Sequence, residues 1–196
     1  MRSFLELVAT IAVAVLAAWL LQAFVIKPYR IPSGSMIPTL AIGQRVLVQR
    51  IDTHPSLGEI VVFHPPAGAD PMPPVCGDAA GGTGHHSPCD RPTAQESSQT
   101  FIKRVVGLPG DRISIRDGLV YRNGRRERAP YAVPCNDGVS GCTFAQTITV
   151  PRGDDYVMGD NRPRSDDSRY WGPVPQHWII GTAIATYWPL DRIGTL

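Results

Sequence analysis

"FIKRVVGLPGDRISIRDGLVYRNG", Phe101 to Gly124, is the stretch on which the fold turns. Its first part, Phe101 to Gly107, is a short run rich in β-branched residues that ends at Gly107 and Pro109, the signature of a strand. Its second part makes two short strands around Asp117-Gly118, a dipeptide suited to a tight hairpin turn. Outward from there the same signals recur. "QRVLVQRI" (Gln44 to Ile51) alternates with period two, "EIVVF" (Glu59 to Phe63) is a brief apolar run behind Gly58, and "TITV", "DYVM" and "IIGTAIATYW" read as further strands. No internal repeat or heptad is present, and no helical period of convincing length follows Ile26. Glycine and proline number 19 each, which favours turns between strands over a helical bundle. The part after Ile26 is therefore expected to be mainly β.

At 196 residues and 43% hydrophobic content the chain suits one globular domain plus an appendage. Its 19 basic and 17 acidic side chains leave a net charge of +2, too small a bias to point to nucleic acid. The appendage is "FLELVATIAVAVLAAWLLQAFVI", Phe4 to Ile26, whose only formal charge, Glu6, lies near one end. As a helix it is long enough to cross a hydrocarbon core, so residues 1–27 read as one N-terminal transmembrane helix. A cleaved secretory signal is the competing reading, but the run exceeds an ordinary h-region and no clear A-x-A site follows. Arg2 on one flank and Lys27 and Arg30 on the other do not decide the orientation. Long following domains cross regardless of nearby charge, and the cysteines point to an oxidising side, which places residues 28–196 outside the cytoplasm.

Residues 64–100 are too rich in Pro, Gly and Ser for a core element and read as a long surface loop. The loop holds Cys76, His85, His86 and Cys89. A zinc site would need all of them, and adjacent histidines fit one tetrahedron poorly, whereas a disulfide needs only the two sulfurs. "CNDGVSGC", Cys135 to Cys142, offers a second closed loop. Pairing Cys76 with Cys89 and Cys135 with Cys142 is the most local connectivity that four cysteines allow. The alternative is free buried thiols.

Chemistry concentrates in three places. In "PSGSMIP", Ser33 and Ser35 flank Gly34, and Pro32 and Pro38 limit the backbone, so a hydroxyl and an amide N–H can be aimed together, as acyl transfer requires. Taken alone, a Ser-Gly-Ser turn is more often only a turn. The G-x-S-x-G elbow is missing and no S-x-x-K follows either serine. His177 could head a Ser-His-Asp triad, although a packed or surface histidine is the simpler reading. Lysine occurs only at Lys27 and Lys103 among the 19 basic residues. Lys27 ends the apolar run, where an ammonium snorkels to lipid headgroups. Lys103 lies on a strand-like run, where burial would lower its pKa and leave a neutral amine able to accept a proton, which arginine cannot do. A strand lysine with its head in solvent is the equal alternative. Finally, "YVMGDNRPRSDDSRYWGPVP", Tyr156 to Pro175, is either a surface turn held by salt bridges among Asp160, Arg162, Asp167 and Arg169, or a support that orients a base.

"PSGSMIPTL", "FIKRVVGLPGD" and "MGDNRPRSDDSRYWGPVP", in this order behind an apolar anchor, resemble bacterial type I signal peptidases closely. The match covers the start, middle and end of the chain beyond the anchor. It implies a mainly antiparallel β catalytic domain with a smaller inserted β/loop region, residues 117–150, and a membrane-anchored serine endopeptidase that removes signal peptides from exported preproteins. It implies Ser35 as nucleophile and Lys103 as general base. Ser33 and the Ser35 N–H serve the oxyanion, Ser165 hydrogen-bonds the lysine amine, and Arg104, Asp160, Asp167 and Arg169 support the site. Tyr29, Ile31, Met36, Leu40, Phe101 and Ile102 match pocket-forming positions for small residues at P1 and P3. No metal or cofactor is required, and the partners implied are secretory preproteins and membrane lipid. The place implied is the bacterial inner membrane, with the catalytic domain on the periplasmic side. Trp171, Trp178 and Trp188 could reach the membrane interface, with core packing the default for each. Pro163 and Arg164 depart from the common pattern, which carries an acid and then an asparagine there, and residues 64–100 look like an insertion. Rival readings are a conjugation-type maturation peptidase of the same mechanism and a tethered interaction protein with a decayed site.

Overall fold

The computed structural model describes residues 2–70, 75–77, 87–135 and 141–196, and within the first helix the side chains of residues 4, 6–17 and 19. That helix, α1, runs over Arg2–Phe24. Its described apolar side chains are exposed, Phe4 at 68% and Trp19 at 62% among them. Among the described residues no helix is long and apolar enough to cross a membrane, so the span expected at Phe4 to Ile26 rests on the sequence. The helix also stops earlier than expected. Ile26 opens a strand, β1 (Ile26–Arg30), which places Lys27 in a sheet.

The strands β2 (Arg45–Gln49), β3 (Ile60–Phe63), β4 (Phe101–Gly107), β9 (Asp154–Met158) and β11 (Ile179–Trp188) fall where the apolar runs predict them. With β1, β10 (Val174–Pro175) and β12 (Gly194–Thr195) they form one antiparallel sheet in the order β1-β2-β11-β3-β4-β9-β10, with β12 beside β11. Both faces of this sheet are covered, which explains why β3 is a continuous apolar run and does not alternate. Ile60 and Val62 point into a core with Ile31, Met36, Leu40, Val46, Val48 and Ile102. Val61 and Phe63 join Val105, Val157, Trp171 and Trp178 in a second core. Trp171 and Trp178 are thus packed inside, whereas Trp188 is 49% exposed.

A second sheet, in the order β7-β6-β5-β8, is built from β5 (Arg112–Arg116), β6 (Leu119–Arg122), β7 (Arg125–Arg126) and β8 (Ile148–Thr149). It begins at Arg112, five residues before the boundary expected from sequence. The β5–β6 turn has Asp117 at φ 53° and Gly118 at φ 72°, the pair of positive angles that a type I′ turn needs. Asn123 and Gly124 repeat the device between β6 and β7, at φ 54° and 80°. Ile113, Ile115, Val120, Phe144 and Ile148 pack this sheet against Tyr156 and Met158 of β9.

The described parts of residues 64–100 are knitted to the domain and do not lie loose on its surface. Ala69 is fully buried, His64 N–H donates to Trp178 O at 3.0 Å and Cys89 N–H donates to Arg169 O at 3.0 Å. Cys76 pairs with Cys89, and Cys135 with Cys142. The first bond removes both sulfurs from the zinc reading, and His85 and His86 lie outside the described residues.

Candidate active site

Ser35 sits in a 3-10 turn, Gly34–Met36, entered from an extended Ser33. Met36 pins the turn from beneath, since its side chain is fully buried in the first core. The segment after β9 pins it from the side. Asn161 N–H donates to Ser35 O at 3.0 Å and Asn161 Nδ2 donates to Gly34 O at 3.1 Å. Gly159 permits this approach, because a Cβ there would run into Ser165 Oγ and the Ser35 carbonyl oxygen. Sequence reasoning passed over Gly159 and Asn161, although both flank Asp160 in the quoted motif.

Lys103 arrives on β4, and its Nζ is hydrogen-bonded to Ser35 Oγ at 2.9 Å. At 5% exposure the lysine head is not in solvent, which decides between its two readings. Burial draws its pKa from 10.5 to about 8, Asp167 and Asp166 push it back up, and Arg169 pulls it down. Ser33 Oγ lies 3.3 Å from Ser35 Oγ.

A cleft of about 420 Å³ opens over this pair, walled by Tyr29, Ile31 and Ser33 on one side and by Phe101 and Ile102 on the other. Met36 and Leu40, expected on the wall, are instead fully buried in the first core, which the wall residue Ile31 shares. Val62, Gln99, Arg164 and Asp166 also line the cleft, and none of them carried a sequence signal for this position. Strand β9 pairs with β4 only from Arg104 onward, so among the described residues the Phe101 to Lys103 edge on that side has no strand partner. None of His54, His64 and His177 lines the cleft, and an exposed His177 packs its ring 5.7 Å from that of Trp178. The Ser-His-Asp reading therefore has no histidine among the described residues.

Two buried ion pairs hold the site. Arg104 donates twice to Asp160, Nε at 2.9 Å and Nη2 at 2.7 Å, and its Nη1 donates to Gly58 O at 2.6 Å. Arg169 donates to Asp167 through Nε at 2.7 Å and Nη2 at 3.0 Å, with both residues fully buried. Burial pushes the Asp167 carboxyl up, but the Arg169 charge and hydrogen bonds, with the Gly159 N–H, hold it below the usual carboxylate range. The stretch that reads as a polar surface turn is thus an interior one. Composition misleads there because Asp160 and Asp167 each find an arginine, and a paired charge can be buried.

Ser165 departs from expectation. It is buried at 6% exposure, yet its hydroxyl has no hydrogen-bond partner among the described residues and does not meet the lysine amine. Arg169 Nη2 holds its carbonyl at 3.0 Å, and its hydroxyl lies against Gly159.

The chain is similar to known proteins over nearly its whole length. The family model for signal peptidase, peptidase S26, matches residues 4–188. "Probable signal peptidase I-1" of Synechocystis sp. is 37% identical over 97% of this chain and 86% of its own. Signal peptidase I of Leptolyngbya laminosa is 34% identical over 98% and 83%. Signal peptidase IB of Staphylococcus aureus is 28% identical over 97% and 93%.

Proposed function

The chain belongs to the signal peptidase family, peptidase S26, and has the function of a signal peptidase I; we propose that it cleaves by acyl transfer from a Ser35–Lys103 dyad. The observation that carries this reading is the 2.9 Å contact between Lys103 Nζ and Ser35 Oγ in a buried site. With its pKa drawn to about 8, roughly a tenth of the lysine is neutral at pH 7. The neutral amine takes the Ser35 proton as Oγ attacks the scissile carbonyl. The resulting ammonium protonates the leaving amine, and a water activated by the same lysine then clears the acyl-enzyme. In this reading Ser33 Oγ, 3.3 Å from Ser35 Oγ, and the Ser35 N–H stabilise the oxyanion. Arg104, Asp160, Asp167 and Arg169 keep the serine turn and the lysine strand in register.

The substrate is an exported preprotein, bound extended between the edges at Tyr29 to Ser33 and Phe101 to Lys103. A narrow, partly apolar cleft suits small residues at P1 and P3. Anchor and orientation rest on the sequence. At 1.5 Å per residue a helix of this length spans about 35 Å, enough for a bilayer core. The two disulfides suit an oxidising, extracytoplasmic side.

The test is cleavage of a precursor with an A-x-A site by the full chain in detergent. Turnover is expected for the native chain, with loss of more than a thousandfold in Ser35→Ala. Full activity in that variant, or equal cleavage after leucine or phenylalanine at P1, would remove the reading.

A further inference from the structure

Among the described acidic residues of the Tyr156 to Pro175 stretch, Asp160 and Asp167 are ion-paired with Arg104 and Arg169. Asp166 has no such partner. It lines the same cleft as Ser35 and Lys103, and its Oδ1 is buried without a hydrogen bond. The charged groups around it are Asp167 and Arg169 from its own segment, Lys103 from β4 and Asp70 from the chain after β3, with Arg164 on the same cleft wall. Since Arg169 is committed to Asp167, Lys103 and Arg164 are the cations left on this cleft, and of the two Lys103 is the buried one.

We propose that Asp166 is a positioning residue of the acyl-transfer step, a cleft carboxylate that acts through Lys103 by stabilising the ammonium formed when the lysine takes the Ser35 proton. The inference rests on the dyad reading above. In the step concerned, the Ser35 O–H bond breaks, its proton goes to Lys103 Nζ, and Oγ bonds to the substrate carbonyl carbon, whose oxygen takes the electron pair. A positive charge thus develops at Nζ in a buried site where the nearest other carboxylates are already neutralised by arginine. An ionised Asp166 lowers the energy of that state. It also makes the resting amine hold its proton more firmly, so its removal has two opposite signs. The base becomes neutral at lower pH, and the step it drives slows. Burial and then the Asp167 charge raise the Asp166 pKa to about 7, so the carboxylate ionises as pH rises into the range in which Lys103 becomes a base.

The chain contains only two lysines, so [13C]lysine labelling of the full chain in detergent gives one signal for Lys27 and one for Lys103. The Lys103 signal is expected to titrate near pH 8 and to move down by about half a unit or more in Asp166→Asn and Asp166→Ser. The acid limb of kcat/KM should move the same way, with a plateau kcat lower by about tenfold. Asp166→Glu should restore both. Unchanged Lys103 titration in the two uncharged variants, or an unchanged plateau kcat, overturns the role of Asp166 and leaves the dyad standing. A native Lys103 that titrates above pH 10 overturns the dyad and this inference with it.

Discussion

Lys103 Nζ and Ser35 Oγ stand 2.9 Å apart although 68 residues separate them in the chain. The contact joins two elements with different reasons to be where they are. Lys103 is held by β4, hydrogen-bonded to β3 in a register that sets Val61 opposite it. Ser35 is held by a 3-10 turn whose neighbour Met36 is fully buried. Burial of the lysine makes it a base, and the turn presents a hydroxyl to it.

The two lysines separate base chemistry from charge. Lys103→Arg keeps a cation of similar length but one that cannot become neutral at working pH, and turnover should fall by at least a thousandfold. Lys27→Arg should leave it within about twofold, because Lys27 is exposed on β1 and needs only to reach water or headgroups. Steady-state rates of both folded variants in detergent check this, and substantial activity in Lys103→Arg would remove the lysine from the mechanism.

Stability and activity should oppose each other at Lys103. Its folded pKa of about 8 lies below the ordinary 10.5, so between those values the unfolded chain binds more protons than the native one. Stability contributed by this group therefore rises with pH through that window and is lowest at and below about pH 8. Lys103→Met removes the cost of a buried charge and should gain up to about 3 kcal/mol at pH 7, with no turnover. Urea unfolding at pH 7 and pH 10 reads it out, and a gain equal at both pH values would contradict the assignment.

Gly159 and Asn161 should prove as sensitive as the dyad's supporting ion pairs. Gly159→Ala places a methyl against Ser165 Oγ and the Ser35 carbonyl, which should cost about 1–3 kcal/mol of stability through forced shifts. Asn161→Ala removes only the Nδ2 bond to Gly34 O and should cost about 1 kcal/mol. Both should lower kcat more than they raise KM, since they move the nucleophile and not the cleft wall. Kinetics with a single precursor peptide test this, and a pure KM effect would refute it.

Reduction of the disulfides should reach the site through Arg169. Cys89 N–H donates to Arg169 O at 3.0 Å, and Gly141, inside the loop closed by Cys135 and Cys142, accepts from Arg169 Nη1 at 2.9 Å. Paired replacement of Cys76 and Cys89 by serine opens a loop with a sequence separation of 13 and should cost about 3 kcal/mol. Thermal unfolding of that variant, compared with the native chain with and without reductant, checks it. Unfolding that reductant leaves unmoved would show that the loops carry no load.

The chain order of apolar runs and turn dipeptides was enough to place β2 to β6, β8, β9 and β11, because each holds a short hydrophobic period bounded by glycine, proline or Asp-Gly. It also marked Ser35 and Lys103 as chemically unusual, one by its rigid turn and the other by the scarcity of lysine. It missed β1, because Ile26 belongs to the apolar run and no turn signal separates the two, and β7, β10 and β12, because two residues carry no period. Burial of Asp160, Arg162, Asp167 and Arg169 could not be read from composition. A charged side chain is stable inside only when a partner meets it, and the partners Arg104 and Gly141 lie far from that stretch in the chain. The position of Asp166 on the cleft and the loss of Met36 and Leu40 from its wall are of the same kind. They depend on which side chains β-strand pairing and core packing bring together, and those long-range contacts exist only once the chain has folded.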